Sequence, residues 1–278
     1  MIKLMQKLTQ KNNKELFLKH KSLSIQFSLD GFSFCIKDIP TGEIFMLSEY
    51  SFDTSLETPG ILLEKIKSIF ETEKELQVDF ESITAIHQNQ LATQVPNDFF
   101  DENHLKSYLD YTIKTLPSDY VTHDDLELIK AKNIYIPYVN INNFLFQNFG
   151  EFEFKHHLTV LINNLLEYNF NKKETIFVNV TYSSLDIVVI TDNQLSFCNS
   201  FTFNTKEDFL YYILFSCEQL NLDPKTLQLA FLGNITTEFE TFKITSEYIK
   251  NIDFIESDNE FLKSSEHFFT HSNYTLIS

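Results

Sequence analysis

Apolar and polar side chains alternate along residues 22–29, where Leu23, Ile25, Phe27 and Leu29 are separated by serine and glutamine. A repeat of two puts those four on one face of a β-strand. Asp30-Gly31 then offers a tight turn, because glycine accepts positive φ without steric cost. Alternation resumes over residues 32–36, the Asp-Ile-Pro-Thr-Gly run at 38–42 supplies a second turn, and residues 44–52 supply a third strand. After Glu57-Thr58-Pro59 the spacing changes. Ile61, Leu62, Ile66, Ile69 and Phe70 recur at helical intervals, with proline tolerated in the first turn.

The same order returns in the second half. Residues 175–181 read as a buried strand, 182–184 as its turn, 185–190 as a second strand, Asp192-Asn193 as a turn and 195–203 as a third strand. Asn204-Thr205-Lys206-Glu207 starts a helix carrying Phe209, Leu210, Ile213, Leu214 and Cys217. Phe32 and Leu185 lie 153 positions apart and Ile44 and Leu195 lie 151 apart, a difference the shorter Asp192-Asn193 turn accounts for. The spacing predicts an internal duplication of a β-β-β-α unit.

Short strands follow each helix, at 82–87 and 227–232. The first leads into an insertion with a strand at 91–95, a helix near 102–113 and a polar hairpin around 120–130. Strands at 134–138 and 152–155 flank a helix around 140–149, and a helix runs over 157–169. The chain closes with a helix near 238–249, a strand at 252–256 and a helix near 260–269. This organisation predicts a polar N-terminal segment over 1–21, a first domain over 22–155 that holds the insertion, and a second over 156–278 whose helix 157–169 crosses between them.

Charge narrows the function. The 278 residues hold 39 acidic and 22 basic side chains, every basic one a lysine, for a net charge of −17. Such a chain repels nucleic acid and anionic membrane surfaces, and without arginine it lacks the usual bidentate phosphate clamp. Only 5 glycines are present, well under the usual share of about 7%, which leaves little material for phosphate loops. The lysine-rich start contains no apolar run of signal-peptide length, and no stretch approaches the ~20 apolar residues of a membrane span. Cys35, Cys198 and Cys217 are widely spaced and read as small buried hydrophobes. A cytoplasmic location is the expectation, with neither nucleic acid nor membrane insertion.

The doubled order of meander, helix, then alternating strands and helices resembles two ribonuclease-H-like domains in tandem. That arrangement is the actin-like ATPase fold, of class α/β (α+β) with a mixed sheet in each half. Residues 177–190, Phe-Val-Asn-Val-Thr-Tyr-Ser-Ser-Leu-Asp-Ile-Val-Val-Ile, are similar to the second phosphate strand-turn-strand of the actin-like proteins of type IV pilus and type II secretion platforms. Residues 227–234, Leu-Gln-Leu-Ala-Phe-Leu-Gly-Asn, are similar to their adenosine-binding turn. The layout also resembles an uncharacterised family, mainly from Bacteroidetes, with the same fold. The resemblance implies a cleft between the halves, where Ser28, Asp30, Asn179, Ser183, Gly233 and Asn234 stand at the vestigial nucleotide positions.

Departures from that pattern outweigh the matches. An active member needs an Asp at the end of the first strand of each half, to organise the metal, and a following Gly and Ser/Thr for backbone approach to phosphate. In the first half no Asp lies within strand 22–29, and Asp30 falls in the turn. In the second half Asn179 takes the Asp position, Thr181 the Gly position, and Tyr182 brings a large side chain to where phosphate would lie. No catalytic residue, metal site or cofactor is therefore expected, and a nuclease lacks its first carboxylate twice. His267 and His271 would share a face if 260–271 were helical but lack a third ligand. His156-His157 reads as a local cap, and Asp124-Asp125 with Glu127 as a solvated hairpin tip. Most of the aromatic set Phe99, Phe100, Phe144, Phe146, Phe149, Phe152 and Phe154 is assigned to the core. The reading is a scaffold or protein-binding module whose partner is another protein, the alternative being a cleft that still takes a small ligand or nucleotide.

Overall fold

The computed structural model describes residues 5–12, 20–169 and 174–277. The first half opens with β1 (Met5–Lys11) and the meander β2 (Lys21–Ser28), β3 (Gly31–Asp38) and β4 (Ile44–Phe52), followed by α1 (Pro59–Thr72) and β5 (Ser82–His87). The insertion comprises β6 (Ala92–Pro96), α2 (Leu105–Leu109), β7 (Thr122–Leu126) and β8 (Ala131–Tyr135). Then come α3 (Val139–Phe149), β9 (Glu153–His156) and α4 (His157–Tyr168). The second half runs through β10 (Thr175–Val180), β11 (Ser184–Thr191), β12 (Gln194–Thr202), α5 (Lys206–Gln219), β13 (Gln228–Gly233), α6 (Glu240–Tyr248) and β14 (Asn251–Phe254). It ends in two short helices, α7 (Glu260–Lys263) and α8 (Tyr274–Ile277).

Two mixed sheets carry the molecule, in the orders β1-β4-β3-β2-β5-β9 and β12-β11-β10-β13-β14. Apart from β1, the order is the same: an antiparallel meander, then two strands added parallel to its first member. A third sheet, β6-β8-β7, belongs to the insertion.

Local signals explain the helices that frame these sheets. Thr58 caps α1 through the Ile61 N–H with Pro59 in its first turn, and Leu62, Ile66, Ile69 and Phe70 are buried against the first sheet. A reciprocal capping box, Thr205 with Asp208, starts α5. The other face of the second sheet is covered by α4, whose Leu158, Leu161, Ile162 and Leu165 pack on Phe177, Val188 and Ile190. Because α4 follows directly on β9 of the first sheet, it crosses from one half to the other.

Four expected elements differ. The polar segment over 1–21 supplies β1, an edge strand that pairs antiparallel with β4 from Met5↔Phe52 to Lys11↔Met46. Edge strands keep polar side chains because one side stays in water. The helix expected near 102–113 is only the single turn of α2, preceded by a 3-10 turn at Glu102–His104. The helix expected near 260–269 stops at Lys263, where Ser264 turns. Asp124 is no solvated tip: its carboxylate accepts bonds from Tyr135 Oη (2.9 Å), the His156 N–H (2.8 Å) and Thr159 Oγ1 (2.7 Å). Burial raises its pKa despite those bonds.

Candidate functional site

The turn between β2 and β3 and the turn between β10 and β11 face each other across the junction of the halves, and they touch. Asp30 follows Leu29 in the first turn, where its N–H bonds Ser28 Oγ at 3.1 Å. Its carboxylate accepts hydrogen bonds from Ser55 Oγ and, across the junction, from Ser183 Oγ. Beside this contact Tyr182 Oη donates to Glu49 Oε1 at 2.6 Å, so β4 of one sheet is tied to the hairpin of the other. In a working nucleotide site these hairpins would stand apart with phosphates between them. Here each is the other's hydrogen-bond partner.

Ser28, Asp30, Asn179, Gly233 and Asn234 line one cavity of about 120 Å³, and Ser183 reaches it through Asp30. Ligand pockets usually measure ~300–1,000 Å³; this one is below that range, with room for only a few water-sized molecules. Its space is reduced by a stretch the sequence reading assigned elsewhere. Residues 267–275 return from the second half along the cleft, with His267, Phe268, Phe269, Asn273, Tyr274 and Thr275 in its wall. The His271 carbonyl accepts from the Gly233 N–H at 2.8 Å and its Nε2 donates to the Ile235 carbonyl at 2.7 Å. Further on, Asn273 Nδ2 donates to Glu49 Oε2 at 3.0 Å and Thr275 Oγ1 to Gln26 Oε1 at 2.6 Å. Phe268, Leu262 and Leu276 pack on Cys35, Ile44 and Leu47, covering the face of the first sheet opposite α1. His267 is exposed and His271 buried, so the two do not share a helical face.

Both cleft glycines serve the backbone. A Cβ on Gly31 would lie 2.6 Å from the Tyr50 carbonyl oxygen. At Gly233, with φ of +88°, it would lie 2.2 Å from the Val180 carbonyl oxygen. These positions are used up by close strand approach, not by an approaching phosphate.

Asn179, which the resemblance puts in the place of the fold's second metal-organising Asp, lies near the end of β10. Its Nδ2 donates to Asp186 Oδ2 at 2.9 Å, placing the nearest carboxylate one strand away and out of solvent. Asp186 also accepts from Ser200 Oγ at 2.5 Å and pairs with His157 Nε2 at 3.2 Å. Burial pushes this carboxyl up, but the attraction of His157 and the hydrogen bonds from His157, Ser200 and Asn179 outweigh it and leave the pKa below the ordinary value. His156 acts as the expected cap, its Nδ1 accepting from the Leu158 N–H at 3.3 Å. The role of His157 was not readable from the sequence, since nothing local connects it to residue 186. Of the aromatic set, Phe144, Phe149, Phe152 and Phe154 pack on the first core and Phe100 on the insertion's, while Phe99 and Phe146 are exposed.

Among the described residues no group of three or more His, Cys, Asp or Glu is placed to hold a metal ion, and no helix is long and apolar enough to cross a membrane.

The fold is shared with solved structures. A Bacteroides thetaiotaomicron protein with an actin-like ATPase fold and unknown function superposes with a TM-score of 0.76 at 22% identity, over 86% of this chain and 91% of that one. A chain of the PilM-PilN type IV pilus biogenesis complex superposes with a TM-score of 0.58 at 10% identity, over 92% and 96%. No curated protein matched. The two sheets, their crossing helix and the cleft between them are thus the actin-like ATPase fold. Residues 10–252 match the family described as Protein of unknown function (DUF3822), and the chain belongs to that family.

Proposed function

We propose that this protein is a non-hydrolysing member of the actin-like fold that works by binding another protein in the cytoplasm. The observation that carries the reading is the hydrogen bond between Asp30 and Ser183, which joins the two turns that would have to part around a nucleotide. The Asn179 amide at the metal position, the cavity of about 120 Å³ and the chain's own residues 267–275 in the cleft all support it. The matching strand order of the sheets supports descent of the halves from one duplicated unit. Protein binding finds further support in the PilM-PilN neighbour, a complex of two proteins by its description.

Thermal unfolding with excess Mg-ATP, ADP or AMP tests the reading. A ligand at 100 times its Kd stabilises by about 2.7 kcal/mol, enough to move the midpoint by several degrees. No shift, together with no phosphate release, is expected. A shift with Mg-ATP accompanied by turnover would overturn the proposal.

A further inference from the structure

We propose that the outer edge of β12 is a docking site for a lysine-bearing extended segment of a partner protein, which adds to the second sheet as a strand. This deepens the protein-binding reading and rests on it for the kind of partner. The first half supplies the template. There β1 lies antiparallel along the outer edge of β4 and is held by more than its backbone. Lys7 Nζ stands 5.3 Å over the Tyr50 ring and 2.6 Å from Glu73 Oε1. Lys11 Nζ stands 5.2 Å over the Phe45 ring and 3.2 Å from Glu75 Oε1. Strand pairing, cation–π contact and acidic partners beside the following helix therefore recognise one alternating lysine strand.

In the second sheet the corresponding position is empty among the described residues: β12 pairs with β11 on one side and ends the sheet. Its nine residues, Gln-Leu-Ser-Phe-Cys-Asn-Ser-Phe-Thr, include no charge, no proline and no glycine. Such an edge lacks the usual guards against strand addition. The Ser200 N–H on this edge is met by the neighbouring Asn199 side chain at 2.9 Å.

Aromatic rings lead away from this edge. Phe201 of β12 stacks on Tyr212 of α5 at 4.5 Å, Tyr212 meets Tyr211 at 5.5 Å, and Tyr211 stacks on Phe215 at 5.6 Å. Tyr211 is 57% and Phe215 40% exposed. Glu207, Tyr211, Phe215 and Glu218 follow at helical intervals and all are exposed, an acid–aromatic–aromatic–acid stripe on one face of α5. The β1 lysines are held by rings of the strand beside them, Tyr50 and Phe45, and by Glu73 and Glu75; beside β12 the same kinds of group, exposed aromatic rings and carboxylates, stand on the adjacent helix α5. The net charge of −17 favours a basic segment over an acidic one.

The test uses the full chain and a fluorescently labelled peptide with the sequence of residues 5–11, Met-Gln-Lys-Leu-Thr-Gln-Lys, read by anisotropy. The variant pair Ser196→Lys with Asn199→Lys places charge on two exposed edge positions. Tyr211→Ser with Phe215→Ser removes the aromatic shelf while leaving the strand intact. Binding that falls about tenfold or more in both, and that is absent for a peptide with glutamate in place of both lysines, is the expected result. No binding to the parent protein overturns the proposal. Binding unaffected by the β12 lysines also overturns it, since the peptide would then be exchanging with β1 at β4. So does a dimer in light scattering that the β12 lysines convert to monomer, because a second copy would then own the edge. None of these outcomes bears on nucleotide binding, which the unfolding assay reads separately.

Discussion

Restoring the aspartate that the fold's ATPases carry at the end of this strand should damage the protein instead of repairing it. Asn179→Asp replaces the amide that donates to Asp186 Oδ2 at 2.9 Å with a second carboxylate at the same distance. Both groups are buried, so two negative charges cannot be held there, and the pair keeps a proton. A free aspartate has a pKa of about 3.9, so retaining that proton at pH 7 costs up to about 4 kcal/mol, at 1.36 kcal/mol per pH unit. His157, 3.2 Å from Asp186, offsets part of the repulsion, which puts the expected loss at about 2–4 kcal/mol. The sign of the pH dependence follows. The shared proton has a folded-state pKa above the unfolded value, so the variant recovers below about pH 4 and its deficit widens as pH rises. Parental Asp186 lies below its ordinary pKa, so its contribution is present above about pH 3.9 and is lost only in stronger acid. The measurement is urea unfolding of variant and parent at several pH values, followed by far-UV circular dichroism because the chain has no tryptophan. Asn179→Ser, which introduces no charge but removes one donor to Asp186, should show a deficit that does not widen above about pH 4 and shrinks only in stronger acid, where Asp186 takes up its proton. A flat difference for Asn179→Asp, or a gain of Mg-ATP turnover, would refute the reasoning.

Gly233→Ala should cost about 2–4 kcal/mol in the same assay, through the 2.2 Å approach to the Val180 oxygen and the left-handed φ of +88°; a neutral effect would mean the strand ends have room to part. Phe268→Ala should cost about 3–5 kcal/mol, since the ring is buried against Ile44, Leu47 and Leu276; a loss under about 1 kcal/mol would show that residues 267–277 do not hold the halves together. His87 is pushed down to about 3 by burial, against the Asn142 hydrogen bond that raises it. It stays neutral in the folded state, its Nδ1 accepting from the Tyr138 N–H at 3.0 Å and its Nε2 2.9 Å from Asn142 Oδ1. The stability this neutral ring contributes is therefore complete above about pH 6.5 and lost as pH falls toward 3, with His156 acting in the same direction. His87→Gln should reduce the acid slope of unfolding by up to one proton, and an unchanged slope would contradict the assignment.

How much of this was legible in the chain depends on the range of the interaction. The first meander was readable because Leu23, Ile25 and Phe27 announce a buried face by alternation, and the second because residues 187–190 form an apolar run buried on both faces of the sheet. Asp192 and Asn193, with φ of 52° and 60°, likewise turn where their chemistry says they should. The cleft residues came from the resemblance to the actin-like fold and not from any local pattern of their own. Nothing local could mark residues 267–275, whose side chains find partners singly and far away: Thr275 with Gln26, Asn273 with Glu49. They have no repeat to detect, and the four helical residues of α7 suggested a helix that does not continue. Asp124 misled for the same reason. Its neighbours in sequence are polar, while Tyr135, His156 and Thr159, which surround it, come from other elements.

The strength of the junction has a clear hierarchy. Tyr182 is 48% exposed, and Asp30 is also reached by solvent, so the bonds to Glu49 and Ser183 each contribute about 1 kcal/mol or less beside water. Phe268 and Leu276, buried on the first sheet, each remove a large apolar side chain from water, about 1.5–3 kcal/mol apiece. The halves are therefore joined by apolar packing more than by these polar contacts: the returning chain covers the first sheet, and Leu126 and Ala131 of the insertion share a core with α4 and the second sheet. Changing the angle between the sheets would require stripping residues 267–277 from the first half. A partner at β12 thus meets a second sheet whose orientation to the first is already fixed, and binding there need not contribute energy to closing the cleft.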